Sequence, residues 1–365
     1  MKEILINLQL FAEAGDVVNT LTNGYVNAYT GSTEAFNDTN SLAGELKTFY
    51  DTELLENARV EMFYAQFAKK QTLPKRHGNT VEWRKWNTFA KASKLQEGVI
   101  PTGQKFGMSS KTGAIAQYGT YAAITDTLEL RAYDDTILGA TEEMGASAAE
   151  TQETLIRDAL LVNKNVLYCD NIDLATGKVT TTPTLCSEMN ASTSSCALFT
   201  PAMVAKAATK MKKDRVPTIN GKYYAVIHPS VAHDLRNSEE WIEVHKYSAT
   251  GEIFNGEIGE LHGVRFVENV FAHVLSDIGG TSYKNKEGTV TYASYFFGKD
   301  AFGIIDPEGG ALEMIVKDKS QAGGPLNQFS TVGYKFETNG ATILYPERVL
   351  RVMSCSTYSA IDEAN

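Results

Sequence analysis

Apolar and polar positions follow three different rhythms along this chain, and each rhythm marks a different kind of element. Residues 12–40 have none: Asn, Thr, Gly and Ser dominate with scattered tyrosines, which reads as an extended arm. From Ser41, whose hydroxyl is placed to cap a helix with Glu45 near its first turn, Leu42, Leu46, Phe49, Leu54, Ala58, Met62, Ala65 and Phe67 recur mostly three to five apart. That stripe predicts a helix down to about Ala68, either a core helix or a docking helix for a neighbouring chain. Thr80 to Trp86 then alternates strictly, with Val81, Trp83 and Lys85 on one side and Glu82, Arg84 and Trp86 on the other, as in a strand. A second strand candidate runs from Ala114 to Ile124. The aperiodic stretch between them holds Gly98, Pro101, Gly103 and Gly107 and is too long for a loop inside a compact domain. Residues 76–120 therefore read as a two-stranded projection with a flexible tip.

The strongest helical signal follows. Asp134 or Asp135 can cap it, and Ile137, Thr141, Met144, Ala148, Leu155, Ala159, Val162 and Val166 carry one face to about Tyr168, giving a helix of roughly 50 Å. The remainder predicts an α+β fold. It has a helix from Pro201 to Asp214, a buried strand from Tyr223 to Ile227, and a break at His228-Pro229-Ser230 that starts a helix carrying Val231 and Leu235. Glycine-punctuated residues 251–263 lead into a strand at Val264, another runs from Tyr292 to Phe297, and two short ones bracket Pro346.

Charge changes this picture in one place. The chain carries 34 basic and 44 acidic side chains, a net of -10, which argues against a protein that coats nucleic acid. The excess is unevenly spread: residues 1–68 are strongly acidic, whereas from Lys69 to Lys94 eight basic side chains face Glu82 alone. The basic block overlaps the projection. Trp83 and Trp86 beside Arg84 and Lys85 suit protein packing better than base stacking in so acidic a chain.

Candidate chemistry is sparse. No phosphate-binding glycine loop, nucleophile elbow or zinc-protease motif occurs. His228, His233 and Asp234 form the best cluster, yet on a helix the two histidines would diverge by about 140°. They define the alternative of a soluble α+β enzyme. Cys169, Cys186, Cys196 and Cys355 lack metal-ligand spacing; Cys186 and Cys196 flank a Ser/Thr-rich loop, but reduced thiols are the expectation. Ile4 to Ala14 imitates an export signal poorly, because Glu3 offsets Lys2 and Asn7 and Gln9 interrupt the apolar run, so a cytoplasmic origin is expected.

The order of parts resembles the major capsid proteins of tailed double-stranded-DNA bacteriophages, specifically a podovirus-type family. The residues that carry the resemblance are Gln117-Tyr118-Gly119-Thr120-Tyr121, Ile124-Thr125-Asp126, the Tyr223 to Ser230 strand and proline, Gly259 to Glu268, Phe297 to Asp306, and the opening Asn7 to Ala12. The resemblance implies an N-terminal arm (1–40), an arm helix (41–75), an extended hairpin loop (76–124), a peripheral domain with the spine helix (125–180 and 341–365) and an axial domain (181–340). It also implies a non-enzymatic structural subunit of the virion, assembled in the host bacterial cytoplasm into pentamers and hexamers around double-stranded DNA. No cofactor is implied. Expected partners are copies of itself, a separate scaffold, a portal and decoration proteins, with weak non-specific contact to DNA and none to membrane; a tail or baseplate protein is a further alternative. Candidate contact residues are Lys75, Arg76, Trp83, Arg84, Lys85, Trp86, Lys91 and Lys94, facing Glu142, Glu143, Glu150 and Glu153 of a neighbour's spine helix.

Overall fold

A computed structural model describes residues 24–26, 33–35, 62–87, 89–92, 94–95, 97–98, 100, 103–132, 136–242, 257–278, 280–310, 312–322, 327–359 and 362–365. The chain divides into two units, Met1–Ala58 and Arg59–Asn365. In the first, strands Gly24–Val26 and Thr33–Ala35 pair antiparallel with Tyr25 opposite Glu34. The cap and most of the stripe of the expected arm helix lie outside the described residues.

The second unit is built around a mixed sheet. Its strands run in the spatial order Glu257–Leu261, Val264–Glu268, Tyr223–Ile227, Thr291–Phe297, Val349–Ser354 and Val166–Tyr168. Thr291–Phe297 and Val349–Ser354 are buried along their whole length, as expected of strands covered on both faces. Helix Pro201–Lys213 contributes Met203, Val204, Ala207, Ala208 and Met211 to the same core, and helix Pro229–Arg236 adds Val231 and Leu235. Proline opens both helices, where its missing N–H costs nothing. At the second, the His228 ring accepts from the Ser230 N–H at 3.2 Å and acts as the cap.

The spine helix spans Thr136–Leu160, 25 residues or about 37 Å, and so is shorter than its apolar spacing suggested. Two competing interactions end it. Arg351 donates to the Leu161 carbonyl at 2.8 Å, and the Asn163 and Asn165 amides donate to the Val349 carbonyl at 2.5 and 3.1 Å. Val166–Tyr168 then pairs in parallel with Arg351–Met353 instead of continuing the helix. The spine lies on a three-stranded antiparallel sheet of Glu313–Lys317, Phe329–Thr338 and Ala116–Thr125, burying Ala148 against Tyr334 and Phe336.

Three further differences from the sequence reading follow from long-range pairing. Residues 62–73, expected to belong to the arm helix, form a 3-10 turn at Tyr64–Gln66 and a strand at Lys69–Leu73. That strand pairs in parallel with Gly303–Pro307, and tertiary pairing overrides helical spacing there. The partner of Thr80–Trp86 is the polar strand Met108–Ala114, while Ala116–Thr125 leaves the hairpin to pair with Phe329–Thr338. Lastly, strands expected in the axial domain (Glu313–Lys317 and Phe329–Thr338) pack with the spine, and Val349–Ser354, expected in the peripheral domain, lies in the central sheet.

Candidate subunit-contact surface

The hairpin Thr80–Trp86/Met108–Ala114 is fastened to the body by its inner face. Trp83 lies over Gly113 and Gly303, where a Cβ on either glycine would come within 2.9 Å of the indole, so both positions must stay bare. Next along that face, Lys85 sits 4.5 Å from the centre of the Tyr345 ring and 3.6 Å from the Glu347 carboxylate. On the outer face Arg84 pairs with Glu82 at 3.1 Å. A hydrogen bond from Ser110 and the Arg84 guanidinium hold the Glu82 carboxyl below its usual range.

Beyond Trp86 the hairpin carries an aromatic stack of its own. Phe106 lies between Trp86, at 4.2 Å between ring centres, and Phe89, at 5.4 Å. The Gln104 amide accepts from the Ala90 N–H at 2.8 Å and donates to its carbonyl at 3.2 Å, closing the loop around the stack. Each aromatic pair is worth about 1 kcal/mol beyond buried area. The rings nevertheless face solvent: Trp86 is 60% exposed, Phe106 58%, and Ile100 nearby 93%. Lys91 and Lys94 are exposed on the same segment, whereas Lys75 and Arg76 lie apart, in the turn before the hairpin. Trp86, Phe89 and Phe106 thus form an exposed apolar cluster, of which only Trp86 was singled out from the sequence.

The acidic candidates separate into two groups. Glu142, Glu143 and Glu150 are exposed on the spine, as is Leu138 on the same helix. Glu153 corrects the expectation, because it faces inward and is fully buried. Its Oε1 accepts from the Phe63 and Tyr64 backbone N–H groups at 3.0 and 3.2 Å and from the Asn269 amide at 2.8 Å. Burial raises its pKa, and those three donors only partly offset the rise. One turn on, Arg157 donates to the Phe271 carbonyl at 3.1 Å and pairs with Asp158 at 2.9 Å. His273 bridges Asp158 at 3.0 Å and the Tyr295 hydroxyl at 2.8 Å, and burial pushes its pKa down. Burial alone would raise the Asp158 pKa, but His273 and Arg157 outweigh it and hold the carboxyl below its ordinary value. This network ties residues 63–64, the spine and the central sheet together.

Of the enzyme-like cluster only the chain neighbours His233 and Asp234 come together, at 3.7 Å, and each residue is engaged structurally. His228 caps a helix, His233 lies against the Tyr358 ring and Asn237, and Asp234 accepts from the Thr357 backbone N–H and hydroxyl. The four cysteines are buried free thiols; burial pushes Cys196 up to about 12 and raises the other three as well. Among the described residues no group of His, Cys, Asp or Glu is arranged to hold a metal, and no helix is long and apolar enough to cross a membrane.

The fold thus combines a sheet body, a spine helix on a second small sheet and a fastened hairpin with an exposed tip. Comparison with solved structures finds the same fold in the capsid asymmetric unit of cyanophage Pam1, with a TM-score of 0.64 and 14% identity over 88% of this chain and 98% of that one. The acidic stable capsid structure of Helicobacter pylori bacteriophage KHP30 is similar at a TM-score of 0.65 and 11% identity, over 90% and 100%. The capsid of cyanophage P-SCSP1u is similar at 0.58 and 16%, over 84% and 92%. No curated protein matches the chain. The phage capsid protein family model matches residues 109–336, more than half of the sequence, and the chain belongs to that family. It is a capsid subunit of a phage head, a structural component of the virion and not an enzyme.

Proposed function

We propose that this chain is the major subunit of a podovirus-type icosahedral head, assembling as pentamers and hexamers around double-stranded DNA. The observation that carries the reading is the solvent-facing Trp86–Phe106–Phe89 stack on a hairpin otherwise fastened to its own body. A lone subunit leaves that apolar surface in water, and a second copy removes it. In this reading the body around the central sheet is the axial domain, and the spine with its three-stranded sheet is the peripheral one. The hairpin lies over the peripheral domain of the next subunit, where Arg84, Lys91 and Lys94 meet Glu142, Glu143 and Glu150, while Lys75 and Arg76 contribute at its base. A separate scaffold, a portal at one vertex and decoration proteins are the further partners. Contact with packaged DNA is weak and non-specific because the chain is net acidic.

Negative-stain microscopy of the expressed chain, alone and with a candidate scaffold, tests this. Closed shells or capsomers are expected; rings, tubes or an obstinate monomer under all conditions contradict it. Reversing Lys91 and Lys94 to Glu should lower shell yield more at 50 mM than at 500 mM salt, since screening hides exposed pairs. Equal yields would sink the pairing with the acidic spine.

A further inference from the structure

At the base of the hairpin, where its inner face meets the segment Leu344–Pro346, lies a recess of about 350 Å³. Trp83, Leu344, Tyr345 and Pro346 form its apolar floor, Ser109 and Ser110 stand at its wall, and the carboxylate of Glu82 lines it beside Arg84. The strand register brings cations to it from two elements. Lys111 is opposite Trp83, and Lys85 follows two residues along the same face. Lys69 enters from the neighbouring strand, paired with the Gly303 on which Trp83 rests. Only part of this charge is answered within the chain: Lys85 has Glu347 at 3.6 Å, and at the rim of the recess Arg84 has Glu82 at 3.1 Å. Lys69 and Lys111 have no ion-pair partner among the described residues.

We propose that this recess receives a carboxylate side chain from a second copy of the chain. The proposal rests on the assembly reading above and adds to it an anion-binding seat distinct from the exposed hairpin tip. Shape favours a side chain: a glutamate or aspartate fits a recess of this volume, whereas a duplex presents its phosphates on a rod too broad to enter. Charge favours the same partner, because the chain is acidic overall and copies of it supply carboxylates in excess. An apolar floor beneath ammonium groups excludes water on one side, so a carboxylate held there gains more than it would on an open surface.

The test compares wild type, Lys69→Gln/Lys111→Gln and, as a control outside the recess, Lys299→Gln. Shell yield is measured in glutarate, a dicarboxylate that mimics the incoming side chain, and in sodium chloride of equal ionic strength. For wild type and the control, glutarate should lower shell yield about fivefold relative to chloride. The double variant, shown to be folded by an unchanged melting temperature, should give about fivefold fewer shells in chloride and no longer distinguish the two salts. Double-variant shells of wild-type yield and glutarate sensitivity would overturn the recess while leaving the assembly reading standing. A short labelled duplex that binds wild type at 150 mM salt and is lost only in the double variant, with assembly intact, would assign the recess to nucleic acid instead. Absence of wild-type shells under every condition would remove the assembly reading and this inference with it.

Discussion

Glu153 sits where a charge is expensive, and it is kept there by what it joins. Its Oε1 gathers two backbone N–H groups that enter the body at Phe63 and Tyr64 together with the Asn269 amide, so the carboxyl is a seam between three chain segments, one 90 residues before it and one 116 after. Glu153→Ala leaves three buried donors unpaired and should cost about 3 kcal/mol in urea unfolding of unassembled subunits. Glu153→Gln retains an acceptor oxygen and should cost less than half as much. Because the folded-state pKa of Glu153 is raised, its stabilising contribution is greatest below the unfolded carboxylate value near 4.3 and is lost as pH rises through the folded value. His273 has the opposite sign. Its folded-state pKa is lowered, so its contribution is full above about 6.5 and is lost as pH falls from there through the folded value. Urea midpoints for unassembled His273→Gln subunits should therefore vary less between pH 6.5 and 5 than those of wild type.

Among the elements, the hairpin shows how a mobile-looking segment is fixed by one residue. Trp83 seats on two glycines, and its removal should free the hairpin from the body without unfolding the central sheet. Trp83→Ala should cost about 3 kcal/mol and speed tryptic cleavage at Arg84 and Lys85 at least tenfold, while cleavage within helix Pro201–Lys213 stays unchanged. The strand Thr80–Trp86 was legible in the sequence because aromatic and β-branched residues alternate there. Its partner Met108–Ala114 was not, because Ser109, Ser110 and Lys111 carry little strand propensity and pair only because the hairpin closes on them. The spine was legible for the same kind of reason, its one-sided apolar spacing, but its end was not. That end is set by Arg351 and by the carbonyl of Val349, nearly 190 residues away. Glu153 was misread because helical spacing tells which residues share a face and not which face is covered by a later segment.

For the molecule as a whole, the basic block near the N-terminus divides among several places on the surface. Lys69 and Lys85 line a recess together with Lys111 from beyond the block, Arg84 is answered by Glu82, and Lys91 and Lys94 are exposed in the segment between the hairpin strands. The exposed stack is the surface that a second copy would cover. The most direct measurement is sedimentation velocity of wild type beside Trp86→Ser/Phe106→Ser, both at equal concentration under assembly conditions. Wild type is expected to sediment as shells or capsomers, and the double variant as a folded subunit with an unchanged melting temperature. A double variant that sediments as wild type does would contradict the account.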